Sequence, residues 1–220
     1  LFWGRPLKSI LCVFDAEKLD FCFNHLNSSK TTFLDKELEE KTKIFNNFKS
    51  YNSFFKTKGI IIDQEKRKSF ISNELTKHSN KKKLKIDIKK NLLDEITNIV
   101  EKPKILLCEF DKRYLTIPKE ILIITMQTHQ KYFPTFDKKD NLTNNFFVVS
   151  DAKDSKGFIK LGNESVIEAR LNDAEFFWKR NKSLNLVKQV SKLKNVNYFK
   201  GMGSYFDKVQ RIRKLCALIS

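Results

Sequence analysis

The chain has 220 residues and a formal net charge of +17, with 43 basic and 26 acidic residues. This length suffices to bury a hydrophobic core in one large domain or two small ones. No apolar run reaches the roughly 20 residues that a bilayer-spanning helix needs, which argues against a membrane protein and favours a cytoplasmic one. The four cysteines lie far apart without Cys-x-x-Cys spacing, so neither disulfides nor a zinc site is expected.

The positive charge is typical of a protein that binds phosphate, because each neutralised phosphate releases a counterion. Only seven of the basic residues are arginine, however, and the chain is also rich in asparagine, isoleucine and phenylalanine. A compositional bias toward such residues would produce the same charge. Charge alone therefore leaves both nucleic-acid binding and compositional bias open.

The first hundred residues predict short strands followed by helices. Two β-rich runs, 6–15 and 19–24, predict a hairpin turning at 16–18. The elements predicted next are a helix carrying Ile44, Phe48, Tyr51 and Phe55 and ending at Gly59, a buried strand at 60–62, and helices at 64–77 and 87–100. The phenylalanine stripe of the first helix favours core packing over a base-stacking platform. The lysine-rich run at 80–85 favours a solvated linker, with a phosphate contact as the alternative.

The second half predicts a strand at 104–110, a helix that Pro118 opens, and two paired strands, 131–136 and 146–149, around a turn at 137–141. A further helix begins at Ser204. Gly201 and Gly203 precede it, but the turn lacks the Lys-Ser/Thr that follows a phosphate-binding P-loop.

The stretch from Gly162 to Lys182 predicts two short helices. Gly162 and Asn163 are typical of a stop and a cap, so a helix is expected to begin at Glu164. The apolar spacing is interrupted at 171–173, where Arg170 and Asp173 are close enough to form an ion pair. On this pattern alone, a buried helix pair with one salt bridge is the plain interpretation.

Several motifs occur in a fixed order in the second half. They are Pro-Lys-Glu at 118–120, Met-Gln-Thr-His-Gln-Lys-Tyr-Phe-Pro at 126–134, Gly-Asn-Glu at 162–164, Ala-Arg-Leu at 169–171 and Asp-Ala-Glu-Phe-Phe at 173–177. In this order they closely resemble the β subunit of the bacterial heterotetrameric glycyl-tRNA synthetase. Arg-Pro-Leu at 5–7 and the run 58–63, with Arg67 and Lys68, resemble that family less tightly. The likeness therefore spans nearly the whole chain.

Four positions depart from that family. Residues 30–33 read Lys-Thr-Thr-Phe in place of Gly-His-Arg-Phe, so an RNA contact by that histidine and arginine is not carried over. Ser165 replaces a usually basic residue and Asn144 a usual proline. Ser150-Asp151 stands at a usual asparagine-containing turn.

The resemblance implies an α+β fold, with a mixed sheet and packed helices of the synthetase B3/B4 type, leading into a C-terminal all-helical segment. The implied domains are 1–100, a mixed α/β region; 101–197, which carries the motifs; and 198–220, the start of a His-Asp-type helical domain. No His-Asp pair occurs in the chain, so that domain is expected to be non-hydrolytic. Leu1 is not an initiator methionine, and an internal piece of a longer protein is expected.

The function implied is the tRNA-binding part of a glycine–tRNA ligase β subunit. Its implied partners are the α subunit, which activates glycine with ATP and Mg²⁺, and tRNA(Gly). No catalytic residue, metal site or cofactor is expected in this chain, and alone it is expected to be non-catalytic. One alternative is an editing hydrolase, although a glycine pocket excludes larger side chains by size and does not need editing. The other is a nonspecific basic nucleic-acid-binding module.

Six residues are the candidate tRNA contacts: His129, Gln130, Lys131, Arg170, Lys208 and Arg211. The first three leave a helix and enter a strand, where rigid elements place polar side chains beside a ligand. The alternative is that His129 and Gln130 only cap the helix end. Tyr132 and Phe133 are neighbours on a strand and point opposite ways, so one is expected in the core and the other free to contact a sugar or base.

Overall fold

The computed structural model describes residues 7, 9–34 and 41–219. They form two compact units, Leu1–Glu168 and Ala169–Ser220. The fold is α+β, as the sequence predicts. The predicted domain limits after residues 100 and 197 stay predictions, and the predicted strand start at Arg5-Pro6 lies outside the described residues.

The first unit begins with short strands. They are β1 (Ile10–Leu11), β2 (Val13–Phe14), β3 (Glu17–Lys18), β4 (Cys22–Phe23), β5 (Leu26–Ser29), β6 (Thr31–Phe33) and β7 (Thr42–Ile44). The predicted hairpin exists, but it is small and joins β2 to β3 through Asp15 and Ala16, both at positive φ. The run at 19–24 contributes β4, which pairs with β5 instead. The two predicted runs are therefore divided between two small sheets, β2-β3 and β1-β5-β4.

Helix α1 (Phe48–Thr57) is capped by the side chain of Asn47, and Gly59 follows it at a φ of 79°. Phe45 is buried and its ring lies 5.0–6.0 Å from the rings of Tyr51, Phe54 and Phe55. These rings pack against one another as a small core, which is the favoured interpretation of the phenylalanine stripe. Ile44, predicted on this helix, instead ends β7 and is exposed.

Residues 60–62 do not form the predicted strand. Arg67 occupies the carbonyl groups that a neighbouring strand would use: its guanidinium donates to the carbonyls of Ile61 and Ile62, while its Nε donates to the carbonyl of Thr97 at 2.8 Å. The segment is therefore held by Arg67 and by two backbone bonds, from the amide of Ile60 to the carbonyl of Phe55 and from the amide of Ile61 to the carbonyl of Glu101, rather than by a sheet.

The central part of the first unit is a four-stranded antiparallel sheet in the order β8-β10-β11-β9. Its strands are β8 (Lys85–Ile86), β9 (Lys104–Glu109), β10 (Phe133–Phe136) and β11 (Leu142–Ser150), and its helices are α2 (Gln64–Lys81), α3 (Lys90–Ile99) and α4 (Lys119–Ile124). Part of the predicted 80–85 linker is thus helix and edge strand. Short turns of 3₁₀ helix at Lys112–Thr116 and of π helix at Thr125–His129 flank α4.

Both faces of this sheet are covered. On one face Phe133, Phe147 and Val149 pack against the buried residues of α2 and α3, among them Ile71, Leu75, Leu92, Leu93 and Ile96. On the other face Phe146 and Cys108 are paired across β11 and β9 and are fully buried. Alternating side chains of the central strands therefore all enter a core.

Helix α5 (Phe158–Ser183) is continuous, so the prediction of a stop at Gly162 and a break at 171–173 is wrong. Asp154 caps the helix earlier, by accepting from the amides of Ile159 and Lys160. Asn163 does not cap a helix. Its side-chain nitrogen donates to the carbonyl of Ile159, and its side-chain oxygen accepts from the hydroxyl of Tyr132. Asparagine often caps a helix, but here Asn163 lies within α5 and its side chain bonds to Tyr132, a residue outside the helix.

The second unit contains the end of α5, then α6 (Leu186–Gln189), a 3₁₀ turn at Val190–Asn195, a hairpin of β12 (Asn197–Phe199) and β13 (Gly203–Ser204), and α7 (Tyr205–Ile219). The predicted final helix is confirmed and begins with a capping box. The carboxylate of Asp207 accepts from the amide and hydroxyl of Ser204, and this amide bond is the main reason why the pKa of Asp207 is lowered. Among the described residues, no helix is both long enough and apolar enough to cross a membrane.

Candidate nucleic-acid interface

The predicted junction between a helix and a strand is confirmed. Helix α4 continues into the π-helical turn, which ends at His129, and β10 begins at Phe133. Between them Lys131 adopts a left-handed conformation, with a φ of 60°, and the amide of Tyr132 donates to the carbonyl of Met126 at 2.9 Å. The chain thus reverses direction within a few residues, and Lys131 lies at the point of reversal.

Tyr132 and Phe133 are both buried, so the prediction that one of them is free to contact a ligand is wrong. Phe133 belongs to the core beneath α2 and α3. Tyr132 points the other way, stacks on Phe146 at 4.9 Å and donates from its hydroxyl to Oδ1 of Asn163 at 2.7 Å. Burial raises the pKa of Tyr132 to about 12. Both residues are covered because both faces of the sheet are covered.

His129 is exposed and Gln130 is half-buried. Within the described part of the chain, neither side chain forms a hydrogen bond, so no bond supports the alternative in which they cap the helix. With Lys131 they form one polar turn at the surface of the first unit.

A cleft of about 440 Å³ opens beside this turn. It lies between the N-terminus of α3 and the π-helical turn. Its lining residues are Lys89, Lys90, Asn91, Leu92, Glu95, Gln127, Thr128 and Lys131. Of the six predicted contacts, only Lys131 lines it.

The N-terminus of α3 is uncapped. Lys89 occupies the cap position with an extended backbone, and its side chain makes no capping bond. The first intrahelical bond is from the amide of Leu93 to the carbonyl of Lys89, so the amides of Lys90, Asn91 and Leu92 have no partner among the described residues. The first turn also contains no acidic residue. These amides and the helix dipole leave a positive, hydrogen-donating end at the cleft.

Gln127 is also among the lining residues, but its amide nitrogen is enclosed by protein and does not open into the cleft. Its side chain is 9% exposed, and its Nε2 is buried without a hydrogen-bond partner in the described part of the chain. Such a group is uncommon, because an unsatisfied buried amide costs free energy. Gln127 was not predicted as a site residue, because its place beside α3 depends on the π-helical turn. The uncapped end was not predicted either, because the sequence pattern placed the start of that helix at Asp87 rather than at Lys90.

The charges around the cleft are mostly positive. Lys131 is paired with Glu95 at 2.5 Å, which neutralises the single carboxylate of the lining. Lys89 and Lys90 are exposed and form no ion pair with any residue that the structure describes. Two lysine charges are thus left for a ligand.

The other three candidate contacts belong to the second unit. Arg170 is exposed, as is Asp173, and no ion pair joins them, so the predicted salt bridge is not formed. The ammonium of Lys208 lies 4.2 Å from the centre of the Tyr198 ring, and the guanidinium of Arg211 donates to the carbonyl of Met202 at 3.1 Å. Lys208 and Arg211 therefore also stabilise the hairpin next to α7.

The whole chain, residues 1–220, matches the family model described as glycyl-tRNA synthetase beta subunit. The chain belongs to this family. Proteins named glycine–tRNA ligase beta subunit from Rickettsia bellii (strain OSU 85-389) and Rickettsia akari (strain Hartford) are 34% and 32% identical to it over its full length, covering 34% of each of those proteins. One from Rickettsia canadensis (strain McKiel) is 35% identical over 99% of this chain and 33% of its own length. The chain thus spans about a third of the length of the curated relatives it matches.

In this beta-subunit chain the glycine-rich turn does not resemble a phosphate loop. A Cβ atom added at Gly203 would lie 2.5 Å from a carboxylate oxygen of Asp207. The glycine therefore makes room for that carboxylate, whose negative charge is incompatible with a bound phosphate at the same place.

Cys108 is the buried thiol of this beta-subunit chain. Burial, with the charge of Glu164 as a second cause, raises its pKa to about 12. The thiol is therefore protonated at neutral pH and is a poor nucleophile. In the described residues, no three histidine, cysteine or acidic side chains form a group that could hold a metal ion.

Proposed function

We propose that this chain forms part of the tRNA-binding surface of a glycine–tRNA ligase, in which a separate α subunit activates glycine with ATP and Mg²⁺. The observation that supports this most is the cleft, which is lined by two lysines without an ion pair and by the first residues of α3, whose amides are free in the described structure. All of these groups donate hydrogen bonds or carry positive charge. A nucleic-acid backbone supplies the acceptors that match them.

The chain's share of the reaction is to position the tRNA. Contacts to phosphates fix the orientation of an RNA without reading its sequence, and shape and 2′-hydroxyl contacts add discrimination. Lys131 and Arg170 are the proposed backbone contacts. His129 and Gln130 adjoin Lys131 in sequence, and Lys208 and Arg211 on α7 are the further candidates. No residue of this chain is assigned a role in forming the bond between glycine and tRNA.

The proposal is tested in the complete beta subunit assembled with its α subunit. Lys131→Ala and Arg170→Ala are expected to lower the affinity for tRNA(Gly) several-fold each, and to reduce the salt dependence of binding by about one phosphate equivalent. Glycine-dependent ATP–pyrophosphate exchange should be unchanged, since that reaction does not need tRNA contacts. The matched control is Lys138→Ala, which removes an exposed lysine from the turn between β10 and β11. Wild-type tRNA affinity in both test variants, with folding intact, would refute the proposal.

A further inference from the structure

We infer that the free edge of β9 binds an extended segment of a partner protein, in which apolar and acidic side chains alternate. β9 is the last strand in the sheet order β8-β10-β11-β9, so among the described strands it is paired on one side only. It has six residues, and its register against β11 runs without a bulge. This edge shares no residue with the candidate nucleic-acid interface, and the inference does not depend on the proposed function.

The register of β9 shows which of its backbone groups are free. The amide of Phe110 donates to the carbonyl of Asn144, and the residues of an antiparallel pair alternate between bonded and non-bonded positions. The even-numbered residues of β9 therefore bond to β11, whereas the amides and carbonyls of Ile105 and Leu107 point outward and have no partner in the described structure. The outward amide of Glu109 agrees with this register, because it donates to a carboxylate of α5 at 2.8 Å. A further strand can therefore bond to both residues.

A cleft of about 290 Å³ lies along the first half of this edge. Phe70 and His78 of α2 line one side of the cleft, and α2 packs on the sheet face to which Ile105 points. Lys153 and Asp154 line the other side, where Asp154 caps α5. A segment in the cleft has the backbone of β9 beside its own, with α2 next to one row of its side chains and the loop at 153–154 next to the other.

The charges in the cleft favour acidic side chains on the loop side. Both carboxylates of the lining are already engaged, because Glu74 is paired with Lys77 at 3.1 Å and Asp154 accepts from two amides of α5. Lys104 and Lys153 form no ion pair with any residue that the structure describes. Lys104 is at an even-numbered position of β9, so its side chain points away from α2. Two ammonium groups are thus left for acidic side chains of the partner.

On the α2 side the partner meets apolar surface instead. Phe70 is 40% exposed and lines the cleft together with Ile105. Side chains alternate along a strand, so the partner segment places apolar residues toward α2 and acidic residues toward the loop, with a period of two. A second copy of this chain fits poorly, because pairing two such edges brings their lysines together. An RNA backbone also fits poorly, because its phosphates only accept hydrogen bonds and leave the outward carbonyls unpaired.

Proline at Ile105 separates the outward hydrogen bond from the side chain. Ile105→Pro and Ile105→Ala both lose the isoleucine side chain, but only proline also removes the outward amide. This amide does not bond to β11, and proline is found at such positions of edge strands. Lys153→Glu reverses one charge beside the edge without changing the sheet. Its matched control is Lys138→Glu, in the exposed turn between β10 and β11.

The test is the fluorescence anisotropy of a labelled peptide in which valine and glutamate alternate, titrated with the complete beta subunit. Ile105→Pro is expected to bind this peptide about tenfold more weakly than Ile105→Ala, because one hydrogen bond is lost and a peptide carbonyl is left unpaired. Lys153→Glu should bind it about fivefold more weakly than wild type, and Lys138→Glu should equal wild type. A peptide of alternating valine and lysine should not bind measurably.

These results together support the inference. It is overturned if the valine–glutamate peptide does not bind the wild type, or if Ile105→Pro and Ile105→Ala bind it equally. Should Ile105→Pro not fold, wild-type peptide affinity in Lys153→Glu would overturn it as well. Dimerisation of the subunit that Ile105→Pro abolishes, without peptide binding, would assign the edge to a second copy. A lower affinity for tRNA(Gly) in Ile105→Pro than in Ile105→Ala, again without peptide binding, would assign it to RNA.

Discussion

The hydroxyl of Tyr132 donates a 2.7 Å hydrogen bond to Oδ1 of Asn163, a residue 31 positions further along the chain. The bond ties the start of β10 to the first half of α5. It explains two features together: Tyr132 is buried rather than available to a ligand, and Asn163 lies within a helix rather than capping one. It also fixes the polar turn of His129, Gln130 and Lys131, because Tyr132 follows that turn directly.

Removing this bond should weaken the first unit. Tyr132→Phe keeps the ring stacked on Phe146 but leaves the Asn163 oxygen without its donor, so we expect the free energy of unfolding to fall by about 1–2 kcal/mol. Urea denaturation measures the change. Tyr198→Phe is the control, since its ring contacts lie in the second unit. An unchanged unfolding midpoint for Tyr132→Phe would show that the bond does not form in solution.

Tyr132 should also make stability depend on alkaline pH. Its pKa of about 12 lies above the ordinary value of 10, so folding favours the neutral phenol. The stability that this contributes is complete below about pH 10 and is lost as the pH rises through 12. Ultraviolet absorbance should show a phenol that titrates near pH 12 and disappears in Tyr132→Phe. A difference titration centred near pH 10 would contradict the prediction.

The enclosed, unpartnered amide of Gln127 should lower the stability of the fold. Gln127→Leu replaces a buried donor without a partner by an apolar group of similar size, so we expect the free energy of unfolding to rise by about 1 kcal/mol. Asn144→Leu is the matched control with the opposite sign, because its amide donates to the carbonyl of Phe110 at 2.9 Å. Destabilisation by Gln127→Leu, measured in urea, would mean that the amide has a partner.

Substitutions at exposed and at buried positions of α5 should change the free energy of unfolding by very different amounts. Asp173→Ala should change the free energy of unfolding by less than about 0.5 kcal/mol, because both Asp173 and Arg170 are exposed and unpaired in the described structure. Leu171→Ala, at a fully buried position, should cost about 2–5 kcal/mol. Thermal melting compares the two. A large loss of stability in Asp173→Ala would indicate that the ion pair predicted from the sequence does form.

Elements with strong hydrophobic periodicity, or with clear turn and capping residues at their ends, were predictable from the sequence. The helix after Asp63, the strand after Pro103 and the paired strands around 137–141 all exist because hydrophobic spacing and turn residues agree there. The strand predicted at 60–62 does not form, because Arg67 donates hydrogen bonds to its carbonyls. The apolar pattern of the sequence does not reveal such a contact. The helix stop and cap predicted at Gly162 and Asn163 do not form. The side chain of Asn163 instead accepts a hydrogen bond from Tyr132, which is distant in sequence.

The candidate site was only partly predictable, for a related reason. His129, Gln130 and Lys131 could be singled out because their motif resembles the family's. Gln127 and the free amides of α3 could not, because a backbone donor leaves no mark on residue type and the burial of Gln127 depends on tertiary packing. Basic residues were also poor guides: Arg67 binds carbonyls of its own chain, and Lys68 is paired with Asp94 at 2.5 Å.

Strand β8 forms one edge of the central sheet and consists of only Lys85 and Ile86. An edge strand offers unpaired backbone groups to other molecules, and long apolar edges promote aggregation. Here a strand of another molecule could pair with only two residues, and the lysines at 81, 82 and 83 precede them. The lysine-rich run thus protects this side of the sheet against intermolecular pairing, a role that requires neither RNA nor a partner subunit.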